Sequence, residues 1–332
     1  MTSPSLDEFG LIARHLAPLA THAAARGLTD DVAVLAARDI GGSLVITADA
    51  IVAGVHFLAD DPPEAVAQRV LRVNLSDLAA KGARPIGYVL TLALGHDQDE
   101  AWVARFAAGL AANQRQFSWS LLGGDTIGTP GPLTISVTAL GEGPAGDAAP
   151  RNGARAGDRI WVTGSIGDGA LGLAVCLGKA PSIASDLAEA AAARFRVPQP
   201  RVKLGRALME SGLVTASADI SDGLVADLAH IAEESRLRGL IDGPFVPLSP
   251  AGQAAVAADA AWFPKLITGG DDYELVITGP ASADAALRRI ARDTGIPLTP
   301  IGWMEEGSGV TVYGEDGEPI SLERAGYTHF QP

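Results

Sequence analysis

Six groups of acidic residues recur along the chain, and most of them lie beside glycine or at the end of an apolar stretch. They are Asp30-Asp31, Asp49, Asp77, Asp125, Asp219 with Asp222, and Asp271-Asp272 with Glu274. A single aspartate in such a place is typical of a turn or a helix cap. Six groups with almost no basic residue among them favour another role, because clustered carboxylates repel one another unless a cation keeps them ionised. Oxygen ligands of this kind indicate Mg²⁺, which commonly keeps water and substrate phosphate in its coordination shell.

Asp77 is the carboxylate least easily explained as a turn or cap residue. The stretch from Pro63 to Ala83 has valines at helical spacing, and Asp77 continues that apolar stripe. An aspartate on a buried stripe is unfavourable unless its charge is satisfied. Either of two nearby cations, Arg72 and Lys81, could pair with it; the alternative is that Asp77 binds a metal ion.

Helix and strand patterns alternate on both sides of a Gly-, Pro- and Ala-rich stretch at 141–158. One amphipathic helix is predicted over 5–26, before strands over 44–47, 86–94, 119–122 and 133–140. The third strand is followed by a predicted Gly-Gly-Asp turn at 123–125. In the second half we predict an alanine-rich helix up to about Arg194, and two strands around the Gly-Gly turn within 266–278. The alternation predicts two α/β-type domains, residues 1–145 and 146–332.

Two sequence patterns of nucleotide-binding proteins are alternatives to the metal site that the acidic motifs predict. Gly167-Asp-Gly-Ala-Leu-Gly172 fits the dinucleotide fingerprint, since it follows a predicted strand and opens a helix. Such a unit needs a second strand with an acidic residue about 20 positions later, and here that span is an alanine-rich predicted helix followed by prolines, which favours close helix–strand packing instead. A Walker-type sequence is also missing, because Ala180 follows Gly178-Lys179, and no protein-kinase signature is present.

Composition limits the class of protein further. The chain has 332 residues, 47% of them hydrophobic and 19% charged, which is typical of a globular protein with a sizeable core. A net charge of −14 argues against nucleic-acid binding. We expect no membrane partner, because no apolar stretch has spanning length and no basic leader precedes Asp7. The lone Cys176 excludes an intramolecular disulfide and suits the cytoplasm.

Taken together, the acidic motifs resemble those of the thiamine-monophosphate kinase family, whose superfamily includes aminoimidazole ribonucleotide synthetase and selenophosphate synthetase. The matching segments keep the family's order and span nearly the whole chain: Asp30-Asp31, Thr47-Ala-Asp49, Ala53-Gly-Val-His-Phe57, Asn74-Leu-Ser-Asp-Leu-Ala-Ala80, Gly123-Gly-Asp-Thr126, Asp219-Ile-Ser-Asp-Gly-Leu224, Gly269-Gly-Asp-Asp-Tyr-Glu-Leu275 and Gly326-Tyr-Thr-His-Phe330. The resemblance implies ATP-dependent phosphorylation of thiamine phosphate to thiamine diphosphate. It also implies a two-domain aminoimidazole ribonucleotide synthetase-like α/β (α+β) fold, and a homodimer whose N-terminal sheets form a barrel-like core.

The resemblance further implies a role for each matching residue. The ligands of several Mg²⁺ ions would be Asp31, Thr47, Ala48, Asp49, Asp77, Asp125, Asp219 and Asp222. Among them, the catalytic carboxylates would be Asp31, Asp49, Asp77, Asp125 and Asp219. ATP would be bound by Gly124, Asp125, Arg151 and Ser221, and the thiamine end by His56, Asp271 and Tyr327. Ala48 replaces the family's usual hydroxyl residue, so only its backbone could be a ligand, and Asp271 replaces the usual glutamate.

Other readings of the motifs stay open at this point. Another ATP-using member of the superfamily is one, although a selenophosphate synthetase would be expected to carry a reactive Cys or selenocysteine near its N-terminus. Hydrogenase-maturation proteins end in a functional cysteine, whereas this chain ends Tyr327-Thr-His-Phe-Gln-Pro332. A non-catalytic metal- and nucleotide-binding scaffold is the alternative from a different class. The sequence offers no strong general base, which favours a phosphate acceptor over an alcohol.

Overall fold

The structure is a computed structural model that describes residues 8–30, 32–37, 40–146, 148–322 and 326–327. The predicted metal ligand Asp31 lies outside the described residues. The chain divides into two compact units. One comprises Met1–Leu78 and Arg84–Glu142, and the other comprises Ala79–Ala83 and Gly143–Pro332.

The first unit is built on a four-stranded sheet with two long helices. In chain order its elements are α1 (Glu8–Leu11), β1 (Leu44–Val52), α2 (Pro63–Ala80), β2 (Arg84–Leu94), α3 (Glu100–Phe117), β3 (Ser120–Gly128) and β4 (Thr134–Glu142). The strand order is β1-β4-β2-β3, with β2 and β3 parallel and the other pairs antiparallel. This order makes β1 and β3 the two edge strands, separated by β4 and β2.

The two faces of this sheet differ in burial. One face carries fully buried side chains such as Tyr88 and Val137, and it is tied to α3 by the Gln114 amide, which donates to the Tyr88 hydroxyl at 3.0 Å. The opposite face stays open in the single chain, where Ile46 is 59% exposed and Ile127 is 48% exposed. An apolar open face on a four-stranded sheet is a surface suited to pairing with another apolar layer.

The second unit is built on a six-stranded mixed sheet in the order β10-β7-β9-β5-β8-β6. Its strands are β5 (Asp158–Thr163), β6 (Ala216–Asp219), β7 (Leu237–Asp242), β8 (Leu275–Pro280), β9 (Leu298–Glu306) and β10 (Gly309–Tyr313). Its helices are α4 (Asp168–Cys176), α5 (Ser185–Arg196), α6 (Val202–Glu210), α7 (Leu224–Ser235), α8 (Pro250–Ala258), α9 (Trp262–Thr268) and α10 (Asp284–Thr294). Strand residues such as Ile160 and Val276 pack with Leu228 and Ile231 of α7 in one buried core.

Three predicted elements are wrong in detail. The helix predicted over 5–26 is, within the described residues, α1 followed by short π and 3₁₀ segments, and Pro18 opens a new turn where an α-helix would need its missing N–H. The alanine-rich helix is two helices, α4 and α5. The first strand predicted within 266–278 is the end of α9, and only β8 is a strand.

Two strands are longer than predicted, and both extensions contain candidate site residues. β1 runs to Val52, so Asp49 lies inside a strand, and β3 continues through Gly123-Gly-Asp125, which is therefore not a turn. No described helix is both long enough and apolar enough to cross a membrane.

Candidate active site

A hydrogen bond between β1 and α2 forms the centre of the candidate site in the first unit. The Thr47 hydroxyl donates to Asp77 Oδ2 at 2.5 Å. Thr47 and Asp49 lie two positions apart on β1 and therefore face the same side of the sheet. All residues from 71 to 80 except Asp77 are buried, whereas Asp77 is half-buried. The hydrogen-bond partner of Asp77 is thus a neutral hydroxyl rather than Arg72 or Lys81, which leaves an anionic oxygen site next to Asp49.

Asn74 holds β1 in register with α2. Its Oδ1 accepts the backbone N–H of Asp49 at 3.0 Å, and its Nδ2 donates to the Val70 carbonyl at 2.9 Å. Asn74 is fully buried. Because Asn74 and Asp77 are three residues apart on a helix, they lie on neighbouring turns and contact two alternate residues of β1. Asn74 therefore positions the candidate ligands without being one of them.

Ala48 lies within β1 and His56 follows the end of β1, and the two residues make different contacts. His56 follows the end of β1, and its Nδ1 accepts the Val52 N–H at 3.1 Å, so a neutral ring carries its proton on Nε2. The Ala48 side chain is exposed and lies on the open face, opposite Thr47 and Asp49. Only the Ala48 carbonyl could contribute to a metal site.

Asp125 lies far from this cluster within one chain. Across the sheet, Asp49 of β1 pairs with Val137 of β4, which pairs with Leu90 of β2, which in turn pairs with Gly124 of β3. Asp125 is the residue after Gly124. β1 and β3 are three strand spacings apart, about 14 Å. Asp125 pairs with Thr91, and both are exposed on the open face, whereas Asp49 belongs to the opposite face. The described residues accordingly contain no group of three or more acidic, His or Cys side chains able to hold a metal ion.

Gly124 is required by the sheet itself. A Cβ at this position would lie 1.9 Å from the Leu90 carbonyl oxygen of β2, so only glycine allows the two strands to approach this closely. The role of Gly124 in binding ATP stays a prediction, since strand packing alone explains the residue type.

The second unit carries its candidate residues on the turn between β6 and α7. Asp219 ends β6 and is 5% exposed, while Ser221 and Asp222 are half-buried in the turn that follows. Two loops are attached to this turn through the backbone. The Asp271 N–H donates to the Ser221 carbonyl at 2.8 Å, and the Tyr327 N–H donates to the Asp222 carbonyl at 3.1 Å. The fold thus brings the candidate nucleotide contacts and two candidate acceptor contacts together.

A buried carboxylate at the start of α7 holds this turn. Asp227 Oδ2 accepts the backbone N–H groups of Ser221 and Asp222, each at 3.0 Å. Burial, together with a smaller contribution from the Asp222 charge, raises the pKa of the Asp227 carboxyl to about 7, although the N–H donors and the Arg151 guanidinium act in the opposite direction. Arg151 itself is exposed, and its carbonyl accepts the Ser235 hydroxyl of α7 at 3.1 Å.

The three acidic residues of 271–274 have different roles. Asp271 is half-buried, has a φ of +73° and accepts the Tyr273 hydroxyl at 3.2 Å. Asp272 accepts the N–H groups of Gly167 and Gly169 at 2.7 and 2.9 Å, at the start of α4. Burial raises the pKa of Asp272 well above its ordinary value, and those two N–H groups oppose the shift. Of Asp271 and Asp272, only Asp271 has the exposure needed for a ligand contact.

Glu274 is a structural ion-pair centre rather than a metal ligand. It is fully buried and accepts the Thr163 hydroxyl at 2.6 Å, Arg194 Nη2 at 2.8 Å and Arg201 Nε at 2.6 Å. A buried carboxylate with this many donors has its charge satisfied by the protein.

The glycine pattern at 167–172 is explained by close packing. A Cβ at Gly169 would lie 2.4 Å from the Asp271 carbonyl oxygen, and one at Gly172 would lie 2.1 Å from the Ala191 carbonyl oxygen of α5. The prediction of packing is correct, although the partners are a loop and a helix rather than a strand. Gly169 lets α4 approach the loop that carries Asp271.

Sequence reasoning missed Asn74, Asp227 and Asp272 as supporting residues. Each is a polar residue that is at most 2% exposed. Asn74 and Asp227 accept backbone N–H groups of candidate site segments, and Asp272 accepts those at the start of α4, beside the loop of Asp271. The available signal was a polar residue on an apolar helix stripe, as with Asp227 among Leu224, Leu228 and Ile231.

Comparison with known proteins identifies the class. Residues 29–142 match the N-terminal domain of AIR synthase related proteins, and residues 155–315 match the C-terminal domain. Hydrogenase maturation protein HypE in complex with ATP shares this fold, with a TM-score of 0.76 at 20% identity.

Full-length relatives define the family more narrowly. Thiamine-monophosphate kinase of Caulobacter vibrioides is 44% identical over 97% of this chain and 90% of its own, and that of Escherichia coli K12 is 38% identical over 97% and 98%. The crystal structure of thiamine-monophosphate kinase from Stenotrophomonas maltophilia has a TM-score of 0.79 at 39% identity, over 88% of this chain and 91% of that one. The chain therefore belongs to the thiamine-monophosphate kinase family, as its motifs indicated.

Proposed function

We propose that this chain transfers the γ-phosphoryl group of ATP to thiamine phosphate and so forms thiamine diphosphate. The observation that carries the proposal is the turn at 219–223, to which the loops bearing Asp271 and Tyr327 are hydrogen-bonded. A related structure, AaThiL complexed with AMPPCP and TMP, aligns over 99% of both chains with a TM-score of 0.75 at 30% identity. The fold and family thus agree with a two-substrate site.

Mg²⁺ fits the donors of the first unit. Thr47, Asp49 and Asp77 supply hydroxyl and carboxylate oxygens from adjoining elements, and the Thr47–Asp77 hydrogen bond places two of these oxygens 2.5 Å apart. Such a set is too small to enclose Mg²⁺, which suits an ion that completes its shell with water and ATP phosphates. When bound, Mg²⁺ supplies neutralisation of the charge on the ATP phosphates. We propose Asp219 and Asp222 as the corresponding donors of the second unit, and Asp31 as a further ligand.

The proposed reaction is direct in-line transfer. A phosphate oxygen of thiamine phosphate attacks the γ-phosphorus while the bond from that phosphorus to the ADP oxygen breaks. The attacking group needs no general base, because a phosphate monoester has a second pKa near 6 and is largely a dianion at pH 7. The protein's contribution is to orient the two phosphates and to hold the groups that screen their charges.

We propose that the functional form is a homodimer in which the two open sheet faces form a barrel-like core. The exposed apolar side chains Ile46, Val89 and Ile127 lie on that face, and β1 and β3 are both unpaired edges within the described residues. A two-fold arrangement that places β3 of one subunit beside β1 of the other would put the strand of the partner subunit's Asp125 next to the strand of Asp49, instead of three strand spacings away. This arrangement supports a site that no single chain completes.

We also propose a division of labour along the chain. Residues 1–145 would bind metal and the ATP phosphates and contribute His56. Residues 146–332 would supply further metal donors, the nucleotide contacts Arg151 and Ser221, and the acceptor contacts Asp271 and Tyr327. The positions of Asn74 and Asp227, each beside candidate ligands of one unit, support this division.

Thiamine phosphate, and not thiamine, is expected to be the acceptor. ADP release is measured with ATP against thiamine, thiamine phosphate and an aminoimidazole ribonucleotide precursor, and γ-labelled ATP is used to look for a phosphoenzyme. We expect turnover with thiamine phosphate only, and no label on the protein in its absence. Faster turnover with thiamine would contradict the acceptor. Label that remains on the protein and later moves to the acceptor would contradict direct transfer.

Turnover is expected to require a divalent cation. The candidate site is acidic and ATP is anionic, so without a cation the two repel each other. In excess EDTA, ADP release should fall at least about 100-fold, and added Mg²⁺ or Mn²⁺ should restore it. Undiminished turnover in EDTA at saturating ATP would rule out the metal assignment.

A further inference from the structure

The Asp227 side chain accepts backbone hydrogen bonds from the turn between β6 and α7. The backbone groups of Ile220, Ser221 and Asp222 are all satisfied, four of them by the backbone of neighbouring loops. The Ile220 N–H donates to the Glu274 carbonyl and the Ile220 carbonyl accepts the Tyr273 N–H, each at 2.8 Å. The Ser221 and Asp222 carbonyls accept the N–H groups of Asp271 and Tyr327.

The two remaining groups are the N–H groups of Ser221 and Asp222, and both donate to one oxygen, Asp227 Oδ2, at 3.0 Å. The carboxylate is 2% exposed, so water cannot easily replace it. A buried N–H without an acceptor is unfavourable, and this penalty can shift a short turn. Losing this acceptor would therefore disturb the turn and the two loops bonded to it.

We infer that Asp227 is a positioning residue that sets the Ser221–Asp222 turn, and through it the loops of Asp271 and Tyr327, for binding of ATP and acceptor. The inference rests on the proposed function for the identity of the two ligands. Asp227 acts by accepting hydrogen bonds, and it touches neither substrate. Since one oxygen accepts both bonds, the amide oxygen of an asparagine can take its place, whereas alanine cannot.

The test compares Asp227→Asn with Asp227→Ala in the full-length protein. Binding of a non-hydrolysable ATP analogue with Mg²⁺ is measured by calorimetry, and KM and kcat are measured for ATP and thiamine phosphate. We expect Asp227→Ala to weaken the analogue about tenfold or more and to raise KM for both substrates, and Asp227→Asn to stay within about threefold of wild type. A wild-type affinity in Asp227→Ala, or equal loss in both variants, would overturn the inference.

Asp158 provides a matched control. It is 4% exposed and also accepts a backbone N–H, from Arg155 at 2.9 Å, as well as the Thr215 hydroxyl at 2.6 Å. Asp158 pairs with Pro280 of β8, whereas Asp219 pairs with Leu275 of the same strand. Asp158 and Asp219 are therefore about 17 Å apart along the direction of β8. Asp158→Ala should lower the melting temperature as much as Asp227→Ala does, yet leave analogue affinity unchanged. If it weakens the analogue equally, the effect of Asp227 is one of general stability.

Amide exchange of the ligand-free protein tests the positioning role of Asp227 independently of the reaction. A peptide spanning 217–227 should exchange at least tenfold faster in Asp227→Ala than in wild type, and near the wild-type rate in Asp227→Asn. If Asp227→Ala does not fold, Asp227→Ser, whose hydroxyl is too short to reach both N–H groups, is used with the same expectations. Failure of thiamine phosphate as acceptor would contradict the proposed function alone, whereas unchanged exchange in these variants would contradict the inference alone.

Discussion

Asp77→Asn is expected to lower kcat/KM by about 10³-fold while the protein stays folded. The Thr47 hydroxyl donates to Asp77 Oδ2 at 2.5 Å, and the oxygen of an asparagine amide can accept the same bond. The free energy of unfolding should therefore change by no more than about 1 kcal/mol. The change removes the negative charge by which the proposed ligand Asp77 would attract several cations, and the neutral amide of asparagine does not supply that charge.

The measurement combines steady-state kinetics over a Mg²⁺ titration with urea unfolding. Asp99→Asn is the matched control, because Asp99 is also an aspartate of the first unit beside a long helix and accepts the Trp102 N–H at 2.8 Å as the N-cap of α3. It should keep wild-type kinetics. Near wild-type turnover of Asp77→Asn, with unchanged Mg²⁺ dependence, would make Asp77 a purely structural residue.

Heterodimers of two inactive variants are expected to recover activity. If one site combines Asp49 of one subunit with the partner subunit's Asp125, a dimer of Asp49→Asn and Asp125→Asn chains contains one intact site and one doubly altered site. The reason lies in the sheet, where β1 and β3 are opposite edges, so that within one chain Asp49 and Asp125 are three strand spacings apart, whereas pairing of β3 with β1 of the partner subunit would reduce this to one spacing. Each homodimer should be almost inactive, and the heterodimer should have about half of wild-type turnover.

The two chains are co-expressed with different affinity tags, and heterodimers are isolated on both tags in turn. Asp49→Asn with Asp77→Asn is the control pair, because both residues lie in the β1–α2 cluster of one chain. That heterodimer has no intact site and should stay inactive. Equal inactivity of the Asp49–Asp125 heterodimer would contradict a shared site and would leave Asp125 outside the proposed metal centre.

The sequence alone predicted the elements whose signal is local. The helix that carries Asp77 is predicted by valines three and four residues apart, and it forms as α2 between Pro63 and Ala80. The strands predicted over 86–94 and 133–140 likewise form, as β2 and β4. Family motifs spread over the chain identified the acidic residues without any knowledge of their spatial arrangement.

Tertiary structure decided which of these residues meet. Asp49 and Asp125 are both flanked by small residues in sequence, but strand order places them at opposite edges, and pairing order is not encoded in either strand. The Gly-Gly-Asp segment at 123–125 continues a strand because Gly124 allows close contact with the Leu90 carbonyl, although its composition predicts a turn. Asn74 and Asp227 are important because they accept hydrogen bonds from backbone N–H groups, and the sequence does not reveal which N–H groups these are. Local periodicity specifies how a segment folds, whereas partners for edges, faces and buried polar groups are chosen only when the segments pack.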